Sequence, residues 1–237
     1  MAVHKTNIII FSLAGLLSFG SVPNDALAQQ TVRTSREGIT DNQTTRLPMY
    51  LVRYTGTERP NTVLISNERG YLYRVLGGQG SGFAVAYPIA IGEDGMAVPV
   101  GTELKVVRMD ENPTWTPTAA MKLRNPALRN VTTVPPGPHN PLGLFSMVLA
   151  YKDGRATEWR IHATNDESSI GYATSSGCFR MYTSHIRHFF NGSRLANGLS
   201  IPAVGETSFG VKVFHREVPG IEDRGPRHAV SVPGLKP

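Results

Sequence analysis

The sequence has little of what most often fixes a fold from outside its own core. It has a single cysteine, Cys178, in 237 residues, so no disulfide can form within the chain. Charged residues make up only 18% of it. No apolar run reaches the roughly 20 residues that a membrane-spanning helix needs. The 24 lysines and arginines are scattered, with no dense basic block and no nucleic-acid-reading motif. The net charge of +6 therefore gives no reason to expect nucleic acid as a partner. A mildly basic exterior suits an anionic polymer such as a cell wall. Internal repeats are absent as well.

Turn chemistry is abundant. With 24 glycines, 17 prolines and 40% apolar residues, the composition points to a mainly β chain of many short strands around one sizeable core. The N-terminus reads as an address. His4 and Lys5 precede an uncharged run of thirteen residues, Ile8 to Gly20, and Ala26-Leu27-Ala28 is a small-x-small cleavage pattern. Residues 1–28 are thus expected to be a secretory signal peptide, which implies export. Residues 29–59 read as a polar linker with a lead-in strand at Leu47 to Tyr54.

From there short runs predict strands at Thr62–Ser66 and Tyr71–Leu76, with a turn at Asn67–Gly70 between them. Glycines 77, 78, 80 and 82 make a loop. Phe83 to Ile91 alternates, with Phe83, Val85, Tyr87, Ile89 and Ile91 on one side and small residues on the other. Leu104–Arg108 is a further strand. Residues 111–143 carry seven prolines, Trp115 and one helix-compatible piece at Ala119–Leu123, the pattern of an ordered cap over a site. Phe145–Tyr151 and Glu158–His162 predict a hairpin that puts Trp159 and Ile161 on one face and Arg160 and His162 on the other. Thr183–Leu195 carries Ile186, Phe189 and Phe190 at helical spacing, with Thr183 or Ser184 as its cap and Asn191-Gly192 as its stop or as a point following a first break. Phe209–His215 is the closing strand, and residues 216–237 read as a Pro/Gly-rich tail.

Cys178 is the centre of the chemistry. It follows Ser175, Ser176 and Gly177, precedes Arg180 by two, and lies sixteen positions after His162. A thiol becomes a nucleophile as its proton leaves, and a histidine within reach can take that proton or hold a thiolate–imidazolium pair. Gly177 lets a carbonyl approach the main chain, where N–H groups around Cys178 can face a developing oxyanion. Arg180 is a planar fork suited to a carboxylate. His139, His188, His215 and His228 read as ordinary surface or loop histidines.

The runs His162-Ala163-Thr164-Asn165, Ser169-Ile170-Gly171 and Ser175-Ser176-Gly177-Cys178-Phe179-Arg180-Met181 resemble the signature of the L,D-transpeptidase catalytic domain. Tyr87 to Gly92, Asn112 to Pro117, Val134 to Gly143 and Arg160-Ile161-His162 extend the resemblance over about 59–215. It implies a β-sandwich enzyme of peptidoglycan over residues 60–215, with a short helix after the cysteine and a loop-rich cap at about 111–143. Cys178 would be the nucleophile and His162 the base, its ring oriented by a main-chain carbonyl near Ala163. Gly177, Ser176 and Ala163 would support the oxyanion, and Arg180, Asn165 and Arg160 would bind substrate. No metal or organic cofactor is implied. The substrate would be the tetrapeptide stem, cleaved between diaminopimelate and D-Ala. The acyl acceptor would be a second stem, or a lysine of an outer-membrane protein or lipoprotein. Water in its place gives a carboxypeptidase or amidase, and loss of chemistry leaves a wall-binding module. A periplasmic monomer is expected. Three departures stand out: Ala163 replaces a usual glycine, Ser176 stands where many members carry a second histidine, and His185 replaces an acidic residue at the helix start.

Overall fold

The computed structural model describes residues 47–77, 82–194, 200–204, 209–222 and 228–230. The expected signal peptide, most of the linker, part of the glycine loop, Leu195 and the rest of the tail lie outside them.

Fourteen strands are described. They are β1 (Met49–Tyr54), β2 (Val63–Ser66), β3 (Tyr71–Gly77), β4 (Gly82–Gly92), β5 (Glu103–Glu111), β6 (Phe145–Tyr151) and β7 (Ala156–His162). β8 (Ala173–Ser175), β9 (Phe179–Met181), β10 (Ser193–Arg194), β11 (Ser200–Ile201), β12 (Gly210–Phe214), β13 (Ile221–Glu222) and β14 (His228–Val230) follow. Two α-helices are described, α1 (Ala119–Arg124) in the cap and α2 (Thr183–Asn191) just after β9. The protein is mainly β.

β4 organises the sheet. Its first half pairs with β1 on one edge and β3 on the other, and its last residues pair with β9 and β8. The path β4-β3-β2-β12-β5-β6-β7-β9 therefore returns to β4 and closes on itself. The alternation in β4 explains both cores. Val85, Tyr87, Ile89 and Ile91 enter the larger one with Ile65, Leu149, Phe179 and Phe189. Ala84 and Ala86 make room on the opposite face for Tyr54, Tyr71 and Tyr73. Each large apolar side chain so buried stabilises the fold by about 1.5–3 kcal/mol. Phe83, at the strand's start, stays 49% exposed.

Three readings of the sequence change. α2 begins without a side-chain cap, because its N-cap position is Tyr182, whose ring is buried against Ala90 and Ile170. The Thr183 N–H goes instead to Glu167 Oε1 at 3.4 Å. The helix stops at Gly192, in a positive-φ conformation (φ 63°), the stop that Asn191-Gly192 offered in the sequence. The stretch expected as a tail contributes β13 and β14, which pair with β1. His188 is not a surface residue: it is 2% exposed and packs on Tyr87, whose hydroxyl lies 3.4 Å from its Nδ1. Burial, helped by Arg74 and Arg187, lowers its pKa to about 4. Arg74 itself is fully buried. It donates to Asn61 Oδ1 at 2.7 Å and to the carbonyls of His188 at 3.1 Å and Pro202 at 2.6 Å, tying β3 to the C-terminal end of α2. His139 and His215 are exposed as expected, and the His228 side chain lies outside the described residues.

The cap is built from its own backbone. Trp115 and Val134 exchange hydrogen bonds in an isolated bridge. Thr118 caps α1, and Asn125 ends α1 while capping the next turn. Buried Asn140 donates to Pro113 O at 2.7 Å and accepts from Leu142 N–H at 2.9 Å, joining the start of the cap to its end.

Candidate active site

Three strand pairings set the site. Asp110 on β5, Ser146 on β6, His162 on β7 and Arg180 on β9 lie in one lateral row. One pleat away, Arg108, Val148 and Arg160 form the next. Cys178 extends that row, since it stands one position before the Ile161–Phe179 pair and thus beside Arg160. Cys178 is therefore a diagonal neighbour of His162 on the same face. The two-residue period of β7 sends Ile161 into the core and turns Glu158, Arg160 and His162 to a cavity of about 930 Å³ roofed by the cap.

The turn before Cys178 is held by Ser175. Its hydroxyl donates to Cys178 O at 2.5 Å and accepts the Gly177 N–H at 3.1 Å. Gly177 has φ 108°, and a Cβ there would fall 2.8 Å from Met96 O and 3.2 Å from Trp159 Nε1. Only glycine fits. Because its N–H is spent on Ser175, Gly177 is not an oxyanion donor; its part is steric.

His162 is buried, and its Nδ1 is hydrogen-bonded to Ala163 O. A carbonyl only accepts, so Nδ1 carries the proton and Nε2 keeps its lone pair. Burial first, then the Arg180 charge, holds the imidazole pKa down at about 3 against the pull of the Ala163 carbonyl. Cys178 is half-buried, with its Sγ directed at Glu158 O at 3.9 Å. Burial raises the thiol pKa, opposed by the Arg160 N–H and the two neighbouring guanidiniums. Burial thus favours the neutral thiol and the neutral imidazole over an ion pair.

Of the residues singled out in the sequence, Cys178, His162, Ser176, Arg160 and Arg180 line the cavity. Gly177 and Ala163 lie buried behind it. Asn165 is exposed and does not line the cavity, so a direct substrate contact is not supported by its position. Ala163 has no positive φ, and its methyl packs where a Cβ on Gly143 would meet it at 2.7 Å. His185 is buried against Tyr182 and Tyr87, away from the cavity. Sequence reasoning missed Ser175, Glu93, Arg108 and Arg124. The repeated serine before Gly177 was a usable signal for Ser175; the others had none. No group of three or more His, Cys, Asp or Glu able to hold a metal occurs among the described residues.

A mainly β domain that sets a half-buried thiol diagonal to a neutral, carbonyl-oriented histidine defines a candidate acyl-transfer site. Residues 60–196 match the family model YkuD, the L,D-transpeptidase catalytic domain, and the chain belongs to that family. It is similar to "Probable L,D-transpeptidase YbiS" of Escherichia coli K12, 36% identical over 114 residues, covering 47% of this chain and 35% of that one. "Probable L,D-transpeptidase ErfK/SrfK" of Salmonella typhimurium LT2 is 30% identical over 148 residues, covering 61% of this chain and 44% of that one. A crystal structure named "Probable carnitine operon oxidoreductase caia", from Brucella melitensis, aligns at 32% identity with a TM-score of 0.43, covering 60% of this chain and 86% of that one. The chain spans about a third to a half of the length of these curated relatives.

Proposed function

We propose that the protein is a cysteine-dependent L,D-transpeptidase of peptidoglycan, acting in the periplasm on tetrapeptide stems. The observation that carries this is the His162 ring, fixed through Nδ1 on Ala163 O beside a half-buried thiol in a cavity of about 930 Å³. The thiol proton passes to His162 Nε2 as sulfur attacks the carbonyl at the L-centre of diaminopimelate. The C–N bond to D-Ala breaks, and His162 returns the proton to the departing amine. A thioester remains on Cys178. An amine then attacks it, His162 takes the amine proton, and the C–S bond breaks to regenerate the thiol. Cys178 N–H is the nearest main-chain donor for the oxyanion, and Arg160 and Arg180 flank the thiol with positive charge. A neutral starting pair suits this sequence, since the proton moves only as the carbonyl is attacked. The acceptor is a second diaminopimelate or a protein lysine; water would make the same site a carboxypeptidase.

Incubation with muropeptides tests the reading. Free D-Ala and a stem-sized adduct on Cys178 by intact mass are expected, with neither from Cys178→Ala. A carbapenem should add its full mass to the same thiol, because ring opening releases nothing. Folded wild-type protein that forms no adduct with either reagent would overturn the nucleophile assignment, and the product mixture identifies the acceptor.

A further inference from the structure

β5 carries a one-residue bulge. Its register with β6 shifts between Val106 and Arg108, leaving Val107 unpaired and 41% exposed. Before the shift, Leu104 and Val106 enter the core. A strict two-residue period would send Arg108 in after them, stranding a guanidinium among apolar side chains. The extra residue reverses the phase: Met109 packs on the core and Arg108 turns to the cavity. Arg108 then stands in the row of Val148, Arg160 and Cys178, three strand spacings or about 14 Å from the cysteine backbone. Asp110 takes its Nε at 3.0 Å, and no other described group takes its Nη nitrogens.

From the cap, α1 brings Arg124 to the same cavity on the face of Met121, one turn earlier. Arg124 has no hydrogen-bond or ion-pair partner among the described residues. The two acidic residues lining the cavity have their main chain beside the cysteine turn. Glu93 is bonded through its N–H to Ser175 O at 3.0 Å, and Glu158 holds Sγ through its carbonyl. Farther along the cavity Arg124 brings an unpaired charge, and Arg108, ion-paired through Nε with Asp110 at 2.9 Å, keeps its two Nη nitrogens for another acceptor.

We propose that Arg108 and Arg124 form a second anion subsite, which holds a substrate carboxylate remote from the carbonyl under attack. The inference rests on the transpeptidase reading, which supplies a stem peptide with free carboxylates beyond the acylated centre. Two sources share this chemistry: the distal carboxylate of diaminopimelate and that of the glutamyl residue before it. An arginine fork takes a carboxylate through paired charged hydrogen bonds, and a carboxamide loses that attraction.

Calorimetric binding to the Cys178→Ala protein reads the subsite without chemistry. The ligands are the free-acid stem, the stem amidated at the distal diaminopimelate carboxylate, and the stem amidated at the glutamyl carboxylate. Arg108→Gln and Arg124→Gln should each weaken the free-acid stem about tenfold. One amidated stem should bind the Cys178→Ala protein about tenfold more weakly than the free-acid stem does and be indifferent to both arginine substitutions, which names the carboxylate. Equal weakening of all three stems, or no weakening, overturns the proposal. In the otherwise wild-type chain, KM for D-Ala release should rise by the same factor with kcat retained. Charge-selective binding without D-Ala release would sink the transpeptidase reading and leave the subsite standing. Release with KM untouched by both substitutions would sink the subsite alone, and failure to bind any stem would sink both.

Discussion

Gly177 shows how much one missing side chain decides. Its positive φ and the 2.8 Å separation a Cβ would have from Met96 O leave Gly177→Ala two penalties, backbone strain and a contact that only main-chain movement relieves. The variant should lose about 1–3 kcal/mol of stability. Its D-Ala release should fall by about a hundredfold, since small displacements of a nucleophile cost that much. Thermal melting and turnover measured together check this, and wild-type turnover would show that the turn is more yielding than its packing indicates. The motif itself was plain in the sequence: Cys178, His162 and the Ser-Ser-Gly run stand out by type and spacing. What could not be read there is that Gly177 N–H is spent on Ser175 Oγ, because the choice of acceptor depends on how the turn closes.

At the scale of elements, the cap depends on Asn140. A residue-by-residue reading finds proline, Trp115 and a short helical piece, but not the side chain that holds them together. Asn140 satisfies Pro113 O and Leu142 N–H from a fully buried position. Asn140→Ala would leave both groups without that partner, at about 1–3 kcal/mol each. Limited proteolysis should then cut within residues 111–143 faster than in wild type, with KM for stems rising because Trp115 and Met121 line the cavity. Unchanged cleavage rates would show that the Trp115–Val134 bridge holds the cap alone. The helix after the cysteine makes a related point. Its apolar face was legible as Ile186, Phe189 and Phe190, but its start was not, because tertiary burial of Tyr182 outranked the Thr and Ser cap signals.

For the whole molecule, two buried neutral histidines link stability to pH. His162 and His188 have folded pKa values of about 3 and about 4, below the 6.5 ordinary for histidine. Between those values and 6.5 the unfolded chain holds more protons than the folded one. Their contribution to stability is therefore complete above pH 6.5 and is lost as pH falls, towards about 4 for His188 and about 3 for His162. The slope should approach about 1.4 kcal/mol per pH unit for each histidine. Denaturant midpoints measured from pH 7.5 to 4.5 should decline accordingly, and His188→Gln should reduce the slope by about half whatever it does to absolute stability. A slope unchanged by that substitution would place the proton uptake elsewhere.

The sequence by itself determined the mainly β character, the two faces of β4 and β7, and the pairing of one candidate thiol, Cys178, with one candidate base, His162. Those properties follow from local periodicity and residue chemistry, which a chain carries with it wherever it folds. Only the tertiary structure decided that β5 shifts by one residue at Val107, that His188 is buried beside Tyr87, and that β13 and β14 join the sheet through β1. Register and burial are relations between segments distant in the sequence, set by which partner strand a residue meets. One such relation turned Arg108 from the core to the cavity that holds Cys178.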